Sequence, residues 1–192
     1  MEINRFNSQD EAAAAAGEAL NQLLIQNKDK PVLLLLSGGS SLSILDYISV
    51  SALGDNLTIT MLDERFSQDA EINNFLQLQK LDFYALAQEA NANFIGTLPR
   101  PNENMDDMQV RWEIALKKWR GDNPNGKIIA TIGMGADGHI AGIFPYSDNA
   151  AFFGNTFENQ HWIAGYKAEG KHKYQDRLTT TFLFFKNIDE AI

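Results

Sequence analysis

Alternating strand and helix signals predict an α/β domain built on a mostly parallel sheet with helices on both faces. Two observations carry that reading. Val32-Leu33-Leu34-Leu35-Leu36 and Lys127-Ile128-Ile129-Ala130-Thr131-Ile132 are short apolar runs without alternation, the pattern of strands covered on both sides. Between such runs lie stretches with helical spacing, and three of the strand segments end abruptly in glycine-rich or charged sequence. No linker or composition break divides the 192 residues, a length that suits one core, so residues 1–192 are read as a single domain.

The elements follow in order. Ser8-Gln9-Asp10-Glu11 has the spacing of a capping box, which starts a helix over about 9–27, with Leu20, Leu23 and Leu24 on its apolar face. Pro31 leads into the strand at 32–36, which stops at Ser37-Gly38-Gly39-Ser40-Ser41, and Leu42, Leu45 and Ile48 then keep near-helical spacing. A second strand, 57–62, ends at Asp63-Glu64-Arg65, and a helix over about 73–91 and a short strand at 93–95 follow. In a third helix, about 103–120, Met105, Met108, Trp112, Ala115 and Trp119 step by three and four, the stripe of a helix packed on a core. The strand at 127–132 runs into Gly133-Met134-Gly135-Ala136-Asp137-Gly138-His139, and later strands are expected at 161–165 and 178–185.

Composition excludes several classes. With no cysteine there are no disulfides, zinc–cysteine sites, iron–sulfur clusters or thiol nucleophile, and three histidines make a histidine-rich metal site improbable. A net charge of −9 argues against a nucleic-acid partner. The longest aliphatic run, 32–36, falls far short of the roughly 20 residues a bilayer span needs. The Ala12 to Ala16 tract is flanked by acids with no basic segment before it, so a cytoplasmic location is expected, with no membrane partner.

Ligands of such sheets bind at the carboxyl ends of the strands. The turn at 37–41 has two glycines that let backbone approach a ligand, hydroxyls, and a helix start with free N–H groups, which suits a phosphate. It is neither a Walker sequence nor G-x-G-x-x-G, so a nucleotide gains little support. Asp63-Glu64-Arg65 reads either as a solvated charge cluster or as site residues. Asp137, two positions before His139 in a glycine-rich loop, can orient the imidazole, whose ordinary pKa near about 6.5 suits a general base. His161 and His172 read as structural or exposed. Lys171, Lys173 and Arg177 concentrate positive charge, and Arg177 is a second candidate anchor for an anion.

Taken together, Leu36-Ser37-Gly38-Gly39-Ser40, Asp63-Glu64-Arg65, Gly133-Met134-Gly135-Ala136-Asp137-Gly138-His139 with Ile143-Phe144-Pro145, and Arg177-Leu178-Thr179 resemble the 6-phosphogluconolactonase family, in that order, over 36–179. The resemblance implies a three-layer Rossmann-like fold related to glucosamine-6-phosphate deaminase. It also implies hydrolysis of 6-phosphoglucono-δ-lactone in the oxidative pentose phosphate pathway, without metal or organic cofactor. By that resemblance His139 activates water, Asp137 orients it, Arg65 stabilises charge on the lactone oxygens, and Asp63 holds sugar hydroxyls or Arg65. Ser37, Gly38, Gly39, Ser40 and Arg177 grip the phosphate.

The chain departs from the family pattern in three places. Ser41-Leu42 replace Thr-Pro, Asn73-Asn74 stand for a Ser-Asn pair, and Tyr174-Gln175-Asp176 replace prolines before Arg177. In the related deaminases a Glu lies five positions after the His, where this chain has Phe144, and an aromatic stands in place of Arg65. A non-catalytic sugar-phosphate sensor is the third reading, though no helix-turn-helix is recognisable. Family members continue through a further strand and helix after the strand that follows Arg177. The sequence ending at Ile192 is therefore expected to lack them, through truncation or with the sheet edge completed by a partner subunit.

Overall fold

The structure, a computed structural model, describes residues 3–192. Helix α1 (Gln9–Gln26) begins where Ser8 Oγ accepts the Glu11 N–H at 3.1 Å. The expected reciprocal half of the box is displaced by one residue: the Glu11 carboxylate accepts from Asn7 N rather than from Ser8 N. Strand β1 (Val32–Leu36) is buried at every position, and because successive side chains point to opposite faces, both faces of the sheet are covered. The glycine turn then enters a 3-10 helix (Gly39–Tyr47), tighter than the α-helix its spacing suggests, followed by a 3-10 turn at Val50–Ala52.

Strand β2 (Leu57–Met61) lies parallel to β1, with Leu34 opposite Ile59. Asp63–Arg65 is not the frayed end of β2 but a strand of its own, β3. The helix expected over 73–91 is two helices, α2 (Asn74–Gln79) and α3 (Asp82–Glu89), broken at Lys80 and Leu81. Strand β4 (Asn93–Phe94) and helix α4 (Met105–Asp122) follow. The stripe on α4 is core: Met108 and Trp112 are fully buried, Trp119 nearly so, and Met105 packs beside them.

Strand β5 (Lys127–Ala130) pairs parallel with β1 on the side opposite β2. After helix α5 (Ala150–Phe157) come strands β6 (Ile163–Lys167) and β7 (Asp176–Thr180). They are antiparallel, since residues 168–175 form a hairpin too short for a parallel crossover. The strand expected through 185 ends at 180: Phe182–Phe185 is a single helical turn, α6, capped by Thr181. A last short strand, β8 (Glu190–Ala191), joins the edge of β5, so the strand after Arg177 is not the final one described.

The central sheet has the order β4-β2-β1-β5-β8, all parallel, and a separate antiparallel sheet has the order β3-β7-β6. From β1 the chain builds outward to β2 and β4 on one side, then crosses through α4 to β5 on the other side of β1, so the strand order reverses between β1 and β5. That reversal opens a crevice at their carboxyl ends. Leu62 joins the two sheets, donating to Leu36 O and accepting from Thr180 N.

Candidate active site

Two short hydrogen-bonded assemblies meet at the crevice. At the ends of β1 and β5, Ser37 N donates to Thr131 Oγ1 at 3.0 Å, and Ser37 Oγ donates to Thr131 O at 2.8 Å while accepting from Gly133 N at 3.1 Å. These bonds lock the two strand ends side by side and commit the Ser37 hydroxyl to the frame. Gly39 and Ser40, exposed at the start of the 3-10 helix, present the free N–H groups that such a start provides.

The second assembly is the antiparallel sheet. Directly paired residues share a face, and Asp63 opposes Thr179 while Arg65 opposes Arg177, which opposes Tyr166 on β6. One face therefore carries Asp63, Arg65, Arg177, Thr179 and Tyr166. Glu64, with Leu178 and Gly165, faces the other way. Its buried carboxyl group accepts from the N–H groups of Arg65, Asn74 and Phe75 and from Thr97 Oγ1, at 2.6–2.9 Å. Burial pushes this carboxyl up to about 8, against the pull of those four donors. Glu64 thus anchors the start of α2 to β3.

The glycine-rich loop closes the crevice. Met134 and Ile140 form an isolated antiparallel bridge, and Gly135 N donates to His139 O at 2.9 Å. His139 Nδ1 and Asp137 Oδ1 lie 2.5 Å apart, and this bond holds the Asp137 carboxyl below its usual range. A side chain at Gly135 would collide with the His139 ring and the Asp137 carboxyl, so that glycine is required by close approach, while one at Gly133 would displace only the Ser41 hydroxyl. The far face of His139 rests on Phe144, with ring centres 4.7 Å apart.

A cavity of about 240 Å³ is lined by Ser37, Gly38, Gly39, Ser40, Asp63, Arg65, His139 and Arg177. Asp137 is the one candidate residue behind this lining, where it touches His139. Burial raises the Asp63 carboxyl, while Arg65, Arg177 and His139 pull it back. Arg177 is only 2% exposed. Its Nη1 lies 3.5 Å from Asp63 Oδ2, its Nε donates to Tyr174 O, and its guanidinium lies over the Phe144 ring. Arg65 Nη1 donates to Ile72 O, and its Nε has no partner among the described residues. Lys171 and Lys173 stay outside the lining.

Two residues outside the candidate set hold the site. Asn73 caps α2 through Leu76 N, and Asn74 Nδ2 donates to Asp63 O at 3.0 Å while its amide presses against Gly38. His161 is exposed near Glu113, and His172 is half-buried with Nδ1 accepting from Tyr174 N. Among the described residues, no group of three or more His, Cys, Asp or Glu is arranged to hold a metal ion, and no helix is long and apolar enough to cross a membrane.

A family model described as glucosamine-6-phosphate isomerases/6-phosphogluconolactonase matches residues 7–191. The chain belongs to this family. Its fold is similar to the crystal structure of a 6-phosphogluconolactonase from Shewanella baltica OS155, with a TM-score of 0.68 at 20% identity, covering 97% of this chain and 77% of that one. A 6-phosphogluconolactonase from Thermotoga maritima gives a TM-score of 0.67 at 20% identity, covering 95% of this chain and 77% of that one. A monomeric glucosamine-6-phosphate deaminase gives 0.62 at 16% identity, covering all of this chain and 80% of that one. At these identities the likeness is one of fold. Among curated sequences, a glutamine-hydrolysing GMP synthase from Thermosynechococcus vestitus is 35% identical over 80 residues. That stretch is 42% of this chain but only 15% of the relative's length, so the chain spans a small part of it.

Proposed function

We propose that this chain hydrolyses 6-phospho-D-glucono-1,5-lactone to 6-phospho-D-gluconate in the cytoplasmic oxidative pentose phosphate pathway. The observation that carries the reading is the His139–Asp137 pair, 2.5 Å apart, beside a cavity that also holds the glycine turn, Arg65 and Arg177. With Nδ1–H directed at the Asp137 carboxylate, the imidazole keeps its Nε2 lone pair for a proton. His139 takes a proton from water as the water oxygen bonds to the lactone carbonyl carbon. Arg65 stabilises the charge that develops on the carbonyl oxygen. Collapse of the tetrahedral species breaks the ring C–O bond, and the proton held by His139 passes to the departing alkoxide. No metal or organic cofactor takes part.

The glycine turn at Gly38, Gly39 and Ser40 together with Arg177 holds the phosphate, whose binding fixes the distant carbonyl. Asp63 orients Arg177 and accepts from sugar hydroxyls. Phe144 supports hydrolysis over deamination within the family: it is 1% exposed and packed on His139, so the position that resembles the deaminase Glu offers no carboxylate.

The test is the rate of opening of freshly generated lactone, corrected for spontaneous hydrolysis, with glucosamine-6-phosphate assayed in parallel. Acceleration of the lactone alone is expected, with His139→Ala losing it and Asp137→Asn lowering kcat by about 10²-fold or more through loss of imidazole orientation. Turnover of glucosamine-6-phosphate instead would replace the reading with a deaminase. Ligand binding without turnover of either would leave a sensor.

A further inference from the structure

The loop that carries His139 is lightly packed on its outer side: Met134 is 76% exposed and Ala136, Asp137 and Gly138 face solvent. Its downstream half is different. Ile140 and Ile143 bridge each other across a two-residue turn, with Ile143 N donating to Ile140 O at 2.6 Å. Both central residues are left-handed, Ala141 at φ 48° and Gly142 at φ 70°. Such a turn suits glycine or asparagine, and an alanine there costs about 1 kcal/mol or more unless its surroundings hold it.

What holds it comes from the antiparallel sheet. Ala141 O accepts a hydrogen bond from Thr179 Oγ1, and Gly142 O accepts one from Tyr166 Oη. Thr179 Oγ1 also lies 3.0 Å from Thr180 O but is nearer to Ala141 O. Both donors are buried, Thr179 fully and Tyr166 to 4% exposure. Burial holds the Tyr166 phenol well above its usual range, so it stays a donor. The turn also abuts Asp63 on that same sheet: a Cβ on Gly142 would come within 2.8 Å of Asp63 Oδ2.

We propose that Thr179 and Tyr166 are positioning residues for His139, each fixing one carbonyl of the 140–143 turn so that the imidazole keeps its place against Arg65 and Asp63. They lie on the face of the antiparallel sheet that carries Asp63, Arg65 and Arg177. One rigid surface therefore sets both the charged groups and the base that works against them. The inference rests on the hydrolase reading only for its kinetic arm.

The test uses the full chain with Thr179→Val and Tyr166→Phe, which keep shape and remove one hydroxyl each, and Thr179→Ser, which keeps the hydroxyl. The expected result is a kcat lower by about 10- to 100-fold in Val and Phe with KM within about twofold, since the phosphate contacts are untouched. The Ser variant restores kcat to within about threefold, and amide exchange at Ile143 and Gly135 quickens in Val and Phe alone. Undiminished kcat in both folded hydroxyl-free variants overturns the proposal, as does a rise in KM with kcat unchanged. Should Thr179→Val not fold, Tyr166→Phe reads the same carbonyl clamp. Should the wild type fail to open the lactone, the hydrolase reading falls by itself. Positioning is then decided by exchange and by the His139 imidazole signal, and no change in either overturns it.

Discussion

Gly38 and Gly39 are neighbours in sequence and glycines for different reasons. Gly38 has ordinary extended backbone, but a Cβ there would collide with the Asn74 amide. Gly39 has open space around its Cα and a left-handed φ of 66°. Gly38→Ala is therefore expected to cost about 1–3 kcal/mol by overpacking and to raise KM, because Asn74 also holds the Asp63 backbone. Gly39→Ala is expected to cost about 1–2 kcal/mol by backbone strain alone. Urea denaturation of each variant in an Asn74→Ala background separates them: the Gly38 cost should shrink there and the Gly39 cost persist, and an equal change in both would refute the distinction. Sequence reading can see that two glycines end a strand beside hydroxyls, since turn chemistry is local. It cannot see Asn74, which is 36 positions from Gly38 and enters only through folding.

At the level of elements, the short polar strand β3 was the hardest to foresee. Three charged residues carry no hydrophobic period, so Asp63-Glu64-Arg65 is legible as a charge cluster but not as a strand with two faces. The run at 32–36 was legible in full, because a strand buried on both sides is written as continuous aliphatics. The Phe-rich run at 182–185 misled, since a short apolar stretch has no period to separate strand from helix. Glu64 ties β3 to α2 and gives this region a pH signature. Between pH 4.5, its ordinary value, and about 8, the folded chain holds a proton that the unfolded chain has released. Raising pH across that window therefore favours unfolding, and the stabilising contribution present below pH 4.5 is lost by about pH 8. Urea denaturation should show stability from this group falling over that range, and Glu64→Gln should flatten the slope. A slope that persists in the variant would assign it elsewhere.

For the whole molecule, the central order β4-β2-β1-β5-β8 puts the strand reversal beside the antiparallel sheet, and the site occupies that junction. The net charge of −9 surrounds a cavity whose cations, Arg65 and Arg177, are partly or wholly buried. Raising ionic strength from about 10 mM to about 150 mM shortens the screening length from about 30 Å to about 8 Å and weakens long-range repulsion of an anionic substrate more than contacts inside the cavity. If the proposed reaction holds, kcat/KM for the phosphorylated lactone should therefore rise with salt over that range, and a steady fall would show that the local cations govern encounter. At the same scale, Trp112 is fully buried in the core beneath the sheet, so Trp112→Ala is expected to cost about 3–5 kcal/mol, measured by denaturant midpoint.

The sequence by itself determined the parallel core, the places where its strands stop, and the identity of the groups collected there, because hydrophobic period, turn glycines and motif order are local properties of the chain. Tertiary structure decided which of those groups share a face. The antiparallel register of β3, β7 and β6 turned Glu64 inward to anchor a helix, set Asp63 and Arg65 beside Arg177, and placed Thr179 and Tyr166 under the His139 loop. The register of β3 on β7 pairs residues more than a hundred positions apart, and it is fixed by burial and hydrogen bonding across strands rather than by any pattern along one of them.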